Sequence, residues 1–387
     1  MNSLVGKARW TGALAVAAAL LLTATGVGAA AAEPAPGALT PGAPTPGAPT
    51  PGAPAPGAPA GTAVGWRALG LAASPEGTKA YVVAADRSGS RTPVVLRTVD
   101  LRSGAVVAEL PLAEDGGAGK PVVSQDGRRL YVVVADRLVT VDTVAGTVLS
   151  RTPAPEQPRP ADWTPGALTG LAVSPDGSKV YAGQNGPAGD GQGVRPGRVL
   201  VFGTELGAFT GTLPLRGYGV GGFALQAGGA TGYVATDLGV EHLDTTTAVP
   251  TPLLPVERLG ATGELAASPD GLRVYALGIQ AAAGTGYAIS TVTNTARPVF
   301  TFATAPADLH YVSVSPDGGR LYLLKDSWTP QASVLAYSTA TDTAVPGETL
   351  TGFGLDGVSA AAVVPGGHTL LVAGIRGQGS YLRTVAL

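Results

Sequence analysis

The chain has 387 residues, of which 13% are charged and 5% aromatic, with a formal net charge of −2. That balance excludes the electrostatic footprint of a nucleic-acid or anionic-membrane surface. The absence of cysteine excludes disulfides, thiolate metal sites and a cysteine nucleophile, so core burial and backbone pairing must hold the fold.

The first segment reads as a targeting signal. Lys7 and Arg9 form a positive region, an apolar stretch runs from Ala13 to Val27, and small residues lead to a cleavage point after Ala32 with Ala30 at the −3 position. Without a cysteine there, lipid anchoring is excluded. A cleaved signal over residues 1–32 fits the Gly/Ala character of its tail. The alternative is a retained anchor, since the stretch approaches the roughly 20 residues needed to span a bilayer. Cleavage removes both cations and no acid, leaving 23 cations against 27 acids. Residues 33–61 then cycle through Thr-Pro-Gly-Ala-Pro, as at Thr40 to Pro44. Proline favours extended backbone, glycine loosens it, and nothing there is large enough to pack, which describes a spacer; its threonines are alternatively glycosylation points.

From Thr62 onward the chain repeats itself. Ala73-Ser-Pro-Glu-Gly-Thr-Lys-Ala-Tyr81 opens the series, followed by Val123 to Tyr131, Val173 to Tyr181, a weak copy from Leu225 to Tyr233, Ala267 to Tyr275, Val314 to Tyr322, and a degenerate copy from Val364 to Leu371. Spacings from Tyr81 are 50, 50, 52, 42, 47 and 49 residues. In each Ser-Pro-Asp-Gly, Pro presets φ, Asp closes an Asx-type bond and Gly supplies positive φ. Apolar runs flank the turn, so it joins two antiparallel strands. A second hairpin follows, as in Leu138-Val-Thr-Val-Asp142-Thr-Val-Ala-Gly146. Four strands per unit and seven units predict an all-β, seven-bladed β-propeller of four-stranded antiparallel blades over residues 62–387. After the seventh hairpin only Tyr381 to Leu387 remains, enough for a third strand. The stretch Thr62 to Arg67 is therefore expected to supply the outer strand of the last blade and close the ring.

These motifs resemble the YVTN family of β-propellers, also found in surface-layer-like proteins. The resemblance lies in the Ser-Pro-Asp-Gly-x-x-x-Tyr hairpin and in a Thr-rich second turn, seen as Asp244-Thr-Thr-Thr, Ser290-Thr-Val-Thr-Asn-Thr and Ser338-Thr-Ala-Thr-Asp-Thr. Blades four and seven depart from the pattern. The resemblance implies a fold and a secreted or cell-wall-associated setting. Propellers host unrelated activities, so it does not imply a function.

Candidate residues must be placed on the ring. The Asp and Gly of the turns read as structural. His242, His310 and His368 fall in a third strand, before an inner strand and in a turn, which predicts no shared metal site or relay. Asp86, Asp136, Asn185, Asp237 and Asp326 recur at the ends of second strands. They read as Asx caps, or as a ring of oxygen ligands for Ca²⁺, the one cofactor the sequence admits. Glycine pairs such as Gly221-Gly222 lack a phosphate loop's strand-to-helix context, and no Gly-x-Ser-x-Gly elbow is present. The face opposite the Ser-Pro-Asp-Gly turns collects Trp163, Trp328, Tyr218 and Phe353 near Arg137, Arg216 and Arg376, together with the long loops Thr152 to Leu168 and Gln184 to Arg198. Aromatics beside Arg are the residues that anchor interfaces. The bland alternative is that the rings only cover blade ends. The expectation is a monomeric, non-enzymatic binding module for a protein or cell-wall glycan, with no membrane insertion after cleavage. The alternative is a metal-assisted hydrolase or lyase of the lactonase or streptogramin-lyase type at the channel mouth.

Overall fold

The structure, a computed structural model, describes residues 61–387 except 190–192, 227, 230, 246–252, 255–262, 281–282, 304–308 and 326–328. Residues 1–60, where a signal segment and most of a spacer are expected, together with Asp326 and Trp328, thus lie outside the described residues. Strands alone make up its regular structure, arranged as seven four-stranded antiparallel sheets and one small two-stranded hairpin. The inner strands of blades 1 to 7 are Arg67–Ala73, Val122–Val123, Leu168–Val173, Val220–Leu225, Leu265–Ala267, Leu309–Val314 and Gly357–Val363. Blade 7 pairs Gly357–Val363, Thr369–Arg376 and Gly379–Ala386 with Thr62–Gly65 as its outer strand. The N-terminal segment closes the ring, as expected.

Four of the blades share one turn chemistry. Ser174 is buried; its Oγ donates to Asp176 Oδ1 (2.6 Å) and accepts from the Lys179 N–H (2.9 Å). The Ser178 N–H donates to Asp176 Oδ1 (3.0 Å). Gly177 has φ +71°, the left-handed region where a side chain is strained. Ser124 with Asp126, Ser268 with Asp270 and Ser315 with Asp317 repeat this set. The Thr-rich motif has its own purpose. Thr204 Oγ1 donates to the Gly177 carbonyl (2.8 Å), Thr245 to Gly229 (3.0 Å), Thr291 to Gly271 (2.8 Å) and Thr339 to Gly318 (2.6 Å), and Thr143 bonds Gly127 likewise. Each hydroxyl ties the second hairpin of a blade to its first.

Burial occurs between blades, and each of the seven blade junctions has its own apolar cluster. The recurrent tyrosines Tyr81, Tyr131, Tyr181, Tyr233, Tyr275 and Tyr322 belong to these clusters. At the 7–1 junction, Val64 of the closing strand packs with Leu71, Val82, Leu371 and Leu382.

Candidate functional site

In a four-stranded antiparallel blade, the first and third connections emerge at one end and the second at the other, with the link to the next blade. The Ser-Pro-Asp-Gly turns therefore share one face with the Thr-rich turns. The loops 154–167, 185–197 and 215–219 share the opposite face.

On that loop face, blades 2 to 4 carry a densely hydrogen-bonded platform. Gln157 is 4% exposed, donates to the Asn185 carbonyl (2.8 Å) and accepts from the Gly166 N–H (2.8 Å). Gln184 donates to the Gly166 carbonyl (2.9 Å) and accepts from Arg198 Nε (2.7 Å). Asn185 Oδ1 accepts from the Val220 N–H (2.8 Å), and the Tyr218 carbonyl accepts from Gly186 (2.8 Å). Buried Glu241 takes the N–H groups of Arg216 (2.9 Å) and Gly217 (2.8 Å). Trp163 stands on this platform, half-buried against Gly189 of the hairpin Ala188–Gly189/Gly193–Val194. The Arg195 guanidinium lies 5.2 Å from the centre of its ring, and Arg159 Nε donates to its carbonyl (2.9 Å).

The other candidates are more scattered. Arg137, Arg216 and Arg376 are exposed, at the start of a blade 2 strand, before blade 4 and at the end of a blade 7 strand. Phe353 corrects an expectation: it is 8% exposed and packs in the blade 6–7 core, because its loop folds inward there. Asp86 forms a paired contact with Arg97 (2.7 and 3.2 Å). Asp237 Oδ1 accepts from the Gly219 N–H (2.9 Å). Asp136 sits at φ +59° in the two-residue turn Ala135–Asp136. Among the described residues, no three His, Asp or Glu side chains gather as a metal site. The His242 ring lies tilted against that of Tyr233, with centres 5.2 Å apart, and burial lowers its pKa against the opposing pull of Asp244; His368 is exposed in the blade 7 turn, and His310 lies on the blade 6 inner strand.

A second cluster, at the ring axis, has no counterpart among the sequence candidates. Four residues before the Ser of each turn, or its equivalent, the seven blades carry Gly70, Lys120, Gly170, Gly222, Glu264, Tyr311 and Ala360. At or beside this position the inner strands of blades 1, 3, 4, 6 and 7 are bulged, a device that re-aims side chains. Lys120 Nζ reaches Glu264 (3.2 Å), three blades away, and lies 5.1 Å from the centre of the Tyr311 ring. The intervening Gly170 and Gly222 place no side chain in that path. A Cβ on Gly170 would come within 2.3 Å of the Gly221 carbonyl, so the close approach of the blades also demands glycine. Glu264 accepts from the Val312 N–H (3.4 Å), and Tyr311 Oη accepts from Val363 (3.0 Å). Enclosure by the ring works to lower the Lys120 pKa; Glu264 and Tyr311 outweigh it and hold it above the usual value. Enclosure likewise raises that of Tyr311.

Seven four-stranded blades around an axis, closed by the first strand, define a seven-bladed β-propeller. No family model matches the chain, and no curated protein matches it. Its fold is similar to that of Kuenenia stuttgartiensis hydrazine synthase, with a TM-score of 0.62 and 15% identity over 87% of this chain and 99% of that one. That likeness concerns the architecture alone.

Proposed function

We propose that this propeller is a secreted or cell-wall-associated binding module of the YVTN type, which docks a protein or cell-wall glycan on the loop face of blades 2 to 4. The observation that carries the reading is the Trp163 platform. Its loops are held by buried Gln157, Gln184 and Glu241, so little ordering entropy remains to be lost on binding. On it stand a half-exposed Trp and the exposed Arg195 and Arg216, the residue types that concentrate interface energy.

The test is a Trp163→Ala variant, alone and combined with Trp328→Ala, assayed for pull-down by isolated cell walls alongside thermal melting. Loss of capture by tenfold or more with an unchanged Tm supports the reading. Lost stability with capture retained makes the rings mere cover.

A further inference from the structure

The inner strands of blades 2 to 5 wall a cavity of about 430 Å³, lined by Val123, Ala172, Val173, Phe223, Leu225 and Ala267, among others. Its polar lining, Gln125 and Ser174, belongs to the turn end, so the cavity lies toward the Ser-Pro-Asp-Gly face. Its volume falls within the range of small-molecule sites, roughly 300–1,000 Å³. Lys120 precedes Val123, and Glu264 precedes Ala267, by three residues on the same chain segments. At about 3.3 Å per residue, the ion pair stands roughly 10 Å further along the axis. The ion pair therefore crosses the ring on the loop-face side of the cavity, beyond the residues that line it.

The pair also sets the chemistry of what would fit. An ammonium has three donors, Glu264 is the acceptor it is given, and the Lys120 side chain is 48% exposed. The pair is neutral as a whole. An anionic head beside it meets the Glu264 carboxylate, a cationic head meets the Lys120 ammonium, and either sets a like charge against one member of the pair. A neutral head that both accepts and donates satisfies both partners without that cost.

We infer that the ring axis is a small-molecule site, opening on the Ser-Pro-Asp-Gly face, for an apolar molecule ending in an uncharged amide or alcohol that hydrogen-bonds the Lys120–Glu264 pair. This site is distinct from the loop face and stands or falls independently of it.

The test is calorimetric titration of the full chain with octanamide, 1-octanol, octanoate and octylammonium, which share one tail. The expected result is saturable binding of the amide and alcohol, with both charged probes at least tenfold weaker. Glu264→Gln leaves the lysine uncompensated and should invert the order, making octanoate the best ligand. Lys120→Met leaves the carboxylate uncompensated and should make octylammonium the best ligand and octanoate the worst, and Ala172→Phe should weaken all four probes, each variant melting within a few degrees of the parent. No saturable binding of octanamide, equal binding of all four probes, or an unchanged order in folded Glu264→Gln would overturn the inference.

Discussion

A single hydroxyl illustrates how the repeat works. Thr204 donates through Oγ1 to the Gly177 carbonyl (2.8 Å), joining the two hairpins of blade 3 beside the backbone bond from its own N–H to the Ser178 carbonyl (3.0 Å). Thr204→Val keeps the shape and removes the donor. It should cost about 1 kcal/mol, the usual net worth of such a bond, read as a shifted urea midpoint with an unchanged m-value. The turn carboxylates add a pH dependence. Hydrogen bonds from Ser174 and Ser178 lower the Asp176 pKa to about 2, and Ser124, Ser268 and Ser315 lower those of Asp126, Asp270 and Asp317. Unfolded Asp titrates near 3.9. The folded values lie lower, so these groups contribute full stability above about pH 4 and lose it as pH falls toward 2. Asp176→Asn should flatten the fall in Tm between pH 4 and 2; a slope identical to the parent's would contradict this. These residues were legible in the sequence because their chemistry is local, completed within five residues of Ser174.

At the scale of elements, the closing strand is the joint on which the ring depends. Thr62–Gly65 pairs with Gly379–Ala386, Val64 is fully buried, and Arg97 Nη1 donates to the Val64 carbonyl (2.8 Å). Arg97 also pairs with Asp86 and Glu109, so one buried guanidinium fastens the closing strand to blade 1. Ser380 Oγ accepts from the Ala68 N–H (2.9 Å) and reinforces the seam. Deletion through Arg67 should lower Tm sharply or cause aggregation, because it bares the edge of the last blade. Deletion ending at Gly61 should leave Tm nearly unchanged, and equal behaviour of the two would refute closure by this strand. Arg97→Met should cost about 3 kcal/mol by leaving Asp86 without its counterion, measured by chemical denaturation. The strand itself was foreseeable, since the last blade lacked a fourth strand and Thr62 to Arg67 had no other use. The Arg97 clasp was not, because an arginine in Val94–Asp100 acquires its partners only when residues 33 positions apart meet.

At the scale of the molecule, the two faces and the axis divide the chemistry. Sequence could assign loops to faces, since antiparallel pairing fixes which connections emerge together; that logic placed Trp163 correctly. It could not show that Phe353 turns inward, because a loop's fold depends on the blades it bridges. Nor could motif reading find Lys120, Glu264 and Tyr311, which lie in segments of no recurring pattern. A signal did exist: counting four residues back from each turn Ser puts Gly, Lys, Gly, Gly, Glu, Tyr and Ala in one ring. Only closure of the ring brings Lys120 and Glu264 together.

If the loop face is the docking surface, its Arg195 and Arg216 should make capture weaken with rising salt. The most direct measurement is hydrogen exchange of the full chain with and without isolated cell-wall glycan. Binding as proposed protects amides in residues 154–167, 185–197 and 215–219 and leaves the segments around Ser124, Ser174, Ser268 and Ser315 unchanged. Protection confined to those turns, with the loops exchanging as in the free protein, would contradict the assignment of the binding face.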